Sequence, residues 1–158
     1  MKLDKLFAGL KQIANGDYVL EGDLIVDEDL KIDLDDRLVV RGNIKVKKSI
    51  AAKRSVIAGD GIEAGWGIEA GEGIEAGWGI KAGEGIKAGW GIEAKTFIHS
   101  ERRIFAGISV YHTSQNCKKT IKCAELRKGE ICFGDLIIEE PVVEMTIAEI
   151  EAKLGIKI

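Results

Sequence analysis

The sequence is poor in several residue types that mark common classes of protein. Its 158 residues include one proline, three cysteines and two histidines, and aromatic residues make up 6% of the chain. Three cysteines, an odd number, form no complete disulfide framework, so we expect a reducing, cytoplasmic setting. The formal net charge of -3 is too small to indicate a nucleic-acid or membrane partner.

Long apolar runs are also missing from the sequence. No stretch approaches the roughly 18 apolar residues of a membrane span, and Asp4 and Lys5 interrupt any apolar region of a secretory signal peptide. We therefore expect a cytoplasmic protein without a membrane segment. Glycine, by contrast, is abundant at 20 of 158 residues, and with so little proline this composition indicates many tight turns.

Residues 59–94 consist of six nearly identical hexads of the form G-W-G-I-E-A. Each has an isoleucine and an alanine separated by one residue, as in Ile62 and Ala64. Two apolar residues at this spacing point to the same side of a strand. A period of six fits no helix, so each hexad predicts a short strand followed by a glycine-lined corner. The same apolar spacing extends over residues 19–111.

Short strands joined by tight corners are typical of a β-solenoid, and the charges indicate how many strands close one coil. Residues stacked in successive coils are cross-strand neighbours, where like charges are destabilising. A coil of three hexads gives ten opposite-charge pairs, among them Glu63 with Lys81 and Asp27 with Lys45, and one like pair. A coil of two hexads gives eight opposite pairs and six like pairs. The sequence therefore predicts an all-β, three-sided solenoid of about five coils, each with about 18 residues.

One segment has the composition of a nucleic-acid-binding patch. Residues 37–58 carry seven bases and no acid, which is the kind of cluster that binds phosphates. Residues 21–36 carry eight acids and one base, and in the predicted solenoid the two segments lie one above the other. Because the acidic coil largely neutralises the basic one, we do not expect a nucleic-acid partner.

The two ends of the chain are expected to cap the solenoid. Leu3, Leu6, Phe7, Leu10 and Ile13 have helical spacing, so residues 1–16 predict an N-terminal capping helix. An uncovered solenoid end exposes both its core and its strand edges, which is why a cap is expected there.

The hexad pattern ends near residue 111, and residues 112–158 predict a small β-plus-helix tail. Strands are predicted at Thr120–Cys123, Ile131–Phe133 and Leu136–Ile138, and a helix is predicted over residues 146–154. The tail either caps the other end or joins two copies in a homodimer. The expected division is thus 1–16, 17–111 and 112–158.

Few residues have the chemistry of a catalytic or metal site. Cys117, Cys123, Cys132 and His112 together could form a zinc site, but the close C-x2-C pair that usually marks one is absent. Whether they bind a metal stays open. His99 with Glu101, and His112 with Cys117, are the combinations that resemble a general-base or nucleophile pair, and their spacing specifies no reaction. We therefore predict no catalytic site and no cofactor.

The three tryptophans are the main candidates for a binding surface. In a coil of three hexads Trp66, Trp78 and Trp90 fall on three different corners, with Trp66 beside Glu84 and Trp90 above Glu72. They either cover corner glycines or anchor a protein partner, since tryptophan is a favoured interface anchor. These five residues are the predicted protein-binding set.

Parts of the repeat resemble known families. The stretches Gly42–Val46 and Gly61–Ala64 resemble the rungs of bactofilins, the polymer-forming bacterial cytoskeletal proteins, over roughly residues 19–111. The resemblance implies a triangular right-handed β-helix that polymerises end to end, although the predicted cap and tail depart from that family. The G-W-G-I-x-A repeats and the ending M-T-I-A-E-I-E-A-K-L-G are also similar to short uncharacterised proteins of Gram-positive bacteria and their phages.

Six-residue repeats are also similar to those of left-handed β-helix acyltransferases, which would imply a trimer that uses coenzyme A and a catalytic histidine. In those repeats a small residue precedes the aliphatic residue by two positions, whereas here alanine follows it. Our leading expectation is therefore a non-catalytic, rigid protein-binding module, in one version a phage or mobile-element accessory protein that inhibits a host enzyme. The alternatives are a bactofilin-like structural polymer and, less favoured, an acyltransferase.

Overall fold

The computed structural model describes residues 1–108 and 119–140 and the single residues 152 and 155. Strands three apart in the chain pair in parallel, as β3 (Tyr18–Leu20) does with β6 (Leu38–Val40). Three strands therefore complete one coil, and the predicted three-sided β-solenoid is confirmed. It has about six turns rather than the expected five.

The strands lie on three sides, which we call the first, second and third sides. The first side contains β2 (Leu10–Gln12), β3 (Tyr18–Leu20), β6 (Leu38–Val40), β9 (Val56–Ala58), β12 (Ile74–Ala76), β15 (Ile92–Ala94), β17 (Thr120–Cys123) and β19 (Asp135–Ile138). The second side contains β4 (Leu24–Val26), β7 (Ile44–Val46), β10 (Ile62–Ala64), β13 (Ile80–Ala82) and the first halves of β16 (Phe97–Ala106) and β18 (Glu125–Phe133). The third side contains β1 (Lys2–Leu3), β5 (Leu30–Ile32), β8 (Ile50–Ala52), β11 (Ile68–Ala70), β14 (Ile86–Ala88) and the second halves of β16 and β18.

The core is a single apolar column inside the coil. In β10 the side chains of Ile62 and Ala64 are buried and that of Glu63 is exposed, and the strands of the hexads from residue 59 to 94 repeat this alternation. Burial of one isoleucine side chain stabilises the fold by roughly 1.5–3 kcal/mol. Because the repeat supplies one isoleucine to every strand, the predicted inward and outward positions are confirmed.

In the hexads from residue 59 to 94, the first glycine of each corner lies very close to the backbone of the coil below it. A Cβ on Gly77 would overlap the carbonyl oxygen of Gly59, and one on Gly65 would overlap the carbonyl oxygen of Lys47. Neither glycine has a positive φ, so the requirement is for close approach of two backbones rather than for an unusual conformation. The second glycine is less restricted: a Cβ on Gly67 would lie 3.5 Å from the nearest atom, the Gly85 carbonyl oxygen.

The first coil is longer than predicted. Leu24 pairs with Ile44, and Leu30 pairs with Ile50. Paired residues of the first and second coils are therefore two residues further apart in the chain than three hexads. The predicted pairing of Asp27 with Lys45 is therefore wrong, and Asp27 instead forms an ion pair of 2.8 Å with Lys47. In later coils the paired residues are three hexads apart, as predicted. Glu63, for example, forms an ion pair of 3.0 Å with Lys81.

The two extra residues lie in the corner between β5 and β6, where they form a small network. Leu34 turns inward and is fully buried. The Tyr18 hydroxyl donates a hydrogen bond of 2.8 Å to one carboxylate oxygen of Asp35, and the Lys5 ammonium binds the other at 2.7 Å. The insertion therefore links the first coil to the segment that precedes it.

The predicted N-terminal capping helix is wrong. The segment instead forms β1, which pairs in parallel with β5, and β2, which pairs antiparallel with β3. Leu3 is buried in the core, whereas Leu6 is almost fully exposed, an arrangement that no single helical face would give. Strand pairing covers the open hydrogen-bonding edges of the first coil, which a helix would leave unsatisfied.

The described part of the predicted tail extends the parallel stacking. The predicted strands at 120–123 and 136–138 are present as β17 and β19, and the one at 131–133 belongs to the longer β18. β17 pairs in parallel with β15, and β19 with β17. The predicted boundary at residue 111 and the helix over residues 146–154 lie outside the described residues, except for residue 152. No helix in the described part of the chain is long and apolar enough to cross a membrane.

The corner geometry predicts unequal effects for two similar substitutions. Gly77→Ala places a methyl group onto the backbone of the coil below, and overpacking of this kind costs about 1–3 kcal/mol. Gly67→Ala meets only an ordinary contact, so its effect is expected to stay below about 1 kcal/mol. Urea unfolding of both variants measures the difference, and equal losses would contradict the close-approach requirement.

The corner network predicts a contribution to acid stability. Hydrogen bonds from Lys5 and then Tyr18 lower the pKa of Asp35 from 3.8 to about 2. A lowered pKa means that the contribution is present above pH 3.8 and is lost as the pH falls toward 2. We expect the loss of thermal stability between these values to be smaller in Asp35→Asn than in the wild type. Parallel pH profiles of the two proteins would contradict this role of Asp35.

Candidate functional site

The three tryptophans lie on three different corners, as predicted. We call the corner between the first and second sides the first corner, and the next two the second and third corners. Trp78 lies on the first corner, Trp66 on the second and Trp90 on the third, as the backbone hydrogen bonds of Trp78 to Asp60, Trp66 to Lys48 and Trp90 to Glu72 establish. No aromatic stripe forms. The exposed side chains of Trp66 and Trp78, however, lie at opposite edges of the second side.

Trp66 is part of a stack that we call the tip ladder: Lys48, Trp66, Glu84 and Arg102. Each residue of the ladder after Lys48 donates a backbone N–H to the carbonyl of the one below, at 2.9 to 3.1 Å. The Lys48 ammonium lies 5.9 Å from the centre of the Trp66 ring, within the range of a cation–π contact. Half of the Trp66 side chain remains exposed, at 50%. The structure thus brings the predicted residues Trp66 and Glu84 together at one corner.

Trp78 is the most exposed of the three tryptophans, at 62%. Its neighbour Gly79 is buried beneath the ring of Phe97, which projects from the next coil. The guanidinium of Arg127 stacks on the Phe97 ring at 3.7 Å from its centre. The Phe97 ring, with the Arg127 guanidinium stacked on it, therefore covers the backbone of Gly79 next to Trp78.

Trp90 and Glu72 have a more internal setting on the third corner. Trp90 is half-buried, and Glu72 is only 8% exposed. One carboxylate oxygen of Glu72 binds the Arg54 guanidinium at 2.7 Å, and the other accepts a hydrogen bond of 3.2 Å from the Ser55 hydroxyl. The Ser55 hydroxyl in turn accepts the backbone N–H of Gly73. Of the five predicted residues, Glu72 is therefore held inside the protein and is not presented to a partner.

A groove runs along the third side, next to the tip ladder. It has a volume of about 1050 Å³, and three of its lining residues, Gly67, Gly85 and Gly129, have no side chain. Glu84 of the tip ladder and the outward residues Glu69 and Lys87 of the third side also line it. Trp66 is not itself a lining residue, but it directly precedes Gly67, and its carbonyl accepts the backbone N–H of Glu84. We call this groove the glycine groove.

The charges in the glycine groove are mixed and mostly paired. Glu69 and Lys87 form an ion pair of 2.8 Å, and Lys128 bonds to Glu101 at the C-terminal end of the groove. Lys128 and then His99 lower the pKa of Glu101, because both stabilise its carboxylate form. A surface of this kind, with small backbone-lined regions between ion pairs, suits a polypeptide segment better than a highly charged polymer.

The other predicted chemical groups are dispersed. His99 of the second side binds Glu101 at 2.8 Å, and Glu101 lines the glycine groove. Cys123 is buried on the first side, where burial raises the pKa of its thiol, and Cys132 is exposed in β18. Over residues 1–108 and 119–140 there is no group of three or more side chains that could hold a metal ion. Cys117 and His112 lie outside the described residues, so the zinc hypothesis stays a prediction.

The fold and this surface define a three-sided parallel β-solenoid with an open groove beside an exposed tryptophan. Comparison with protein-family models, with curated proteins and with solved structures finds no significant match for the chain.

The sequence pointed to Trp66 and Glu84 but not to the groove. The groove depends on which residues stack in one column, and its lining combines the third side with Arg103 and Lys128 from the long strands β16 and β18. A usable signal was present in the stacking of Gly67 and Gly85, which are three hexads apart in the sequence.

The buried position of Glu72 predicts an effect on stability. Glu72→Ala leaves the Arg54 guanidinium and the Ser55 hydroxyl without their partner, which is expected to cost about 1–3 kcal/mol. Glu84→Ala is the matched control, since Glu84 is exposed and makes no ion pair among the described residues, and its expected effect is below about 0.5 kcal/mol. Thermal unfolding measures both, and equal melting temperatures would contradict the structural role of Glu72.

Proposed function

We propose that the protein is a non-catalytic binding module that receives a segment of a partner protein in the glycine groove. The observation that carries the proposal is the half-exposed Trp66 beside an open groove of about 1050 Å³. Tryptophan is enriched among the residues that dominate binding energy at protein interfaces. An exposed tryptophan next to a concave surface is therefore a suitable anchor.

The backbone of the site supports the same function. The tip ladder is held by hydrogen bonds between coils, and the groove lies over the parallel strands β8, β11 and β14. Little conformational freedom remains in such a surface, so little entropy is lost when a partner binds. A rigid, preorganised surface with paired charges favours recognition of another protein.

The resemblance to proteins of Gram-positive bacteria and their phages extends the proposal to a biological role. In this version the protein is a phage or mobile-element accessory protein that occupies and inhibits a host enzyme. The support is the resemblance in the G-W-G-I-x-A repeat, together with the half-exposed Trp66 beside the glycine groove. The acyltransferase alternative has no comparable support from the arrangement of the described residues.

A bactofilin-like structural polymer is the second candidate, and the ends of the solenoid favour it. Leu6 and Ile25 are exposed near the N-terminal end, and Leu136 and Ile138 near the C-terminal end. Apolar residues at both ends, next to the edges of β4 and β19 that no other described strand covers, could stack one copy on another. Binding through the sides and stacking through the ends predict different assemblies.

The test combines the size of the protein with its binding. Light scattering after size-exclusion chromatography is expected to show a discrete species, and affinity capture from the source cells is expected to retain a partner. Trp66→Ala should weaken this binding by about 2 kcal/mol or more, roughly 30-fold. Trp90→Ala, the matched control on the third corner, should leave it unchanged.

Two results would reject the binding module. Filaments in negative-stain micrographs, with a mass that rises with concentration, would make the structural polymer the leading function. Capture that is equally strong with wild-type protein and with Trp66→Ala would remove Trp66 from the interface.

A further inference from the structure

One glycine column of the solenoid is already covered by an aromatic ring. On the second side, Asn43, Gly61, Gly79 and Phe97 stack at intervals of three hexads, each directly before a strand or at its start. The Phe97 ring lies so close to Gly79 that a Cβ there would overlap it. The Arg127 guanidinium stacks on the same ring, 3.7 Å from its centre. The chain thus shows what a glycine column of this fold accepts: an aromatic ring that contacts bare backbone and also a cation.

The same column on the third side lacks its ring. It consists of Ser49, Gly67, Gly85 and Arg103, and Arg103 occupies the position that corresponds to Phe97. The Arg103 guanidinium points toward the carboxylate of Glu130, at 3.8 Å, and its side chain is 68% exposed. No ring therefore covers Gly85, which is half-buried and has the Arg103 carbonyl oxygen 3.1 Å from the position of a Cβ, whereas Gly79 is buried. The glycine groove is the space that a ring would fill.

Cations for the outer face of such a ring are available at the groove. Arg102 lies at the end of the tip ladder and lines the groove, and it makes no ion pair among the described residues. A guanidinium over an aromatic ring is attracted by the negative face of the ring. Arg102 can thus act on a bound ring as Arg127 acts on Phe97.

We infer that the glycine groove binds the aromatic side chain of a partner segment, with the ring on Gly67 and Gly85 and a guanidinium on its outer face. The inference rests on the proposed function for the nature of the partner, and it adds the chemical feature that the partner must present. The glycine column of the second side is then covered by a ring of the same chain, Phe97, and that of the third side by a ring of the partner.

Short peptides provide a direct test on the full-length protein. The probe is a blocked pentapeptide with phenylalanine between two pairs of alanines, and the control peptide has alanine at the centre. Nuclear magnetic resonance titration is expected to shift the backbone amide signals of Gly67 and Gly85 with the phenylalanine peptide only. The signal of Gly79 should not move, since the Phe97 ring already covers this glycine.

Three variants separate the groove from the rest of the fold. Arg103→Phe supplies the missing ring from within, so it should abolish the peptide-induced shifts and raise the thermal unfolding midpoint by a few degrees. Gly67→Ala adds a methyl group to the floor with only an ordinary contact at 3.5 Å, and it should weaken peptide binding at least tenfold. Gly73→Ala, with an equivalent contact of 3.6 Å on the third corner, should bind the peptide as the wild type does.

The inference is overturned if millimolar phenylalanine peptide leaves Gly67 and Gly85 unshifted, if the alanine peptide shifts them equally, or if Arg103→Phe binds normally. These failures are distinct from failure of the binding module. Loss of partner capture in Trp66→Ala without peptide binding would keep the module and reject the aromatic ligand. Peptide binding without any captured partner would keep the aromatic site and reject the proposed module.

Discussion

The structure depends on the close approach of each corner to the corner one coil below. A backbone N–H at the corner reaches the carbonyl of the preceding coil, as that of Gly77 reaches Ala58 at 3.0 Å. A Cβ on any of the first corner glycines from Gly59 to Gly89 would overlap the backbone one coil below. Arg41, Lys47, Lys53 and Lys95 take the same position in other coils and make the same bond at 2.9 to 3.3 Å. Buried isoleucines stabilise the coil, but it is this backbone contact that holds successive coils in register.

In-register stacking turns every outward position of the repeat into a column whose members are three hexads apart. Neighbouring members of a column can then pair along the side, as Glu63 does with Lys81 and Glu69 with Lys87. The same stacking places an aromatic residue. Phe97 covers the glycine below it, while Arg103, in the equivalent place on the next side, turns away toward Glu130. The glycine beneath is therefore buried in one column and half-buried in the other.

The three-sided coil was predictable because many charged positions reported on the same stacking interval. The longer first coil was not, because its two-residue insertion leaves the apolar spacing unchanged: Ile32 and Leu38 are six residues apart, yet Ile32 is the second inward residue of its strand and Leu38 the first. The N-terminal segment has helical spacing, but the free edges of β3 and β5 give it a better partner as strands. Local periodicity carries no information about such edges. For the same reason, the sequence located Trp66 but not the groove beside it.

The near-identity of the hexads has a consequence for how a gene of this kind can change length. Insertion of three hexads adds one complete coil, lengthens the prism by about 4.8 Å and leaves the ends in the same rotational phase. Insertion of one or two hexads between Gly85 and Arg103 would turn Arg103 by a third or two thirds of a revolution, so that it would no longer stand above Gly85. Length variation inside the groove that preserves it must therefore occur in whole coils of three hexads, even though the repeated unit of DNA encodes only one.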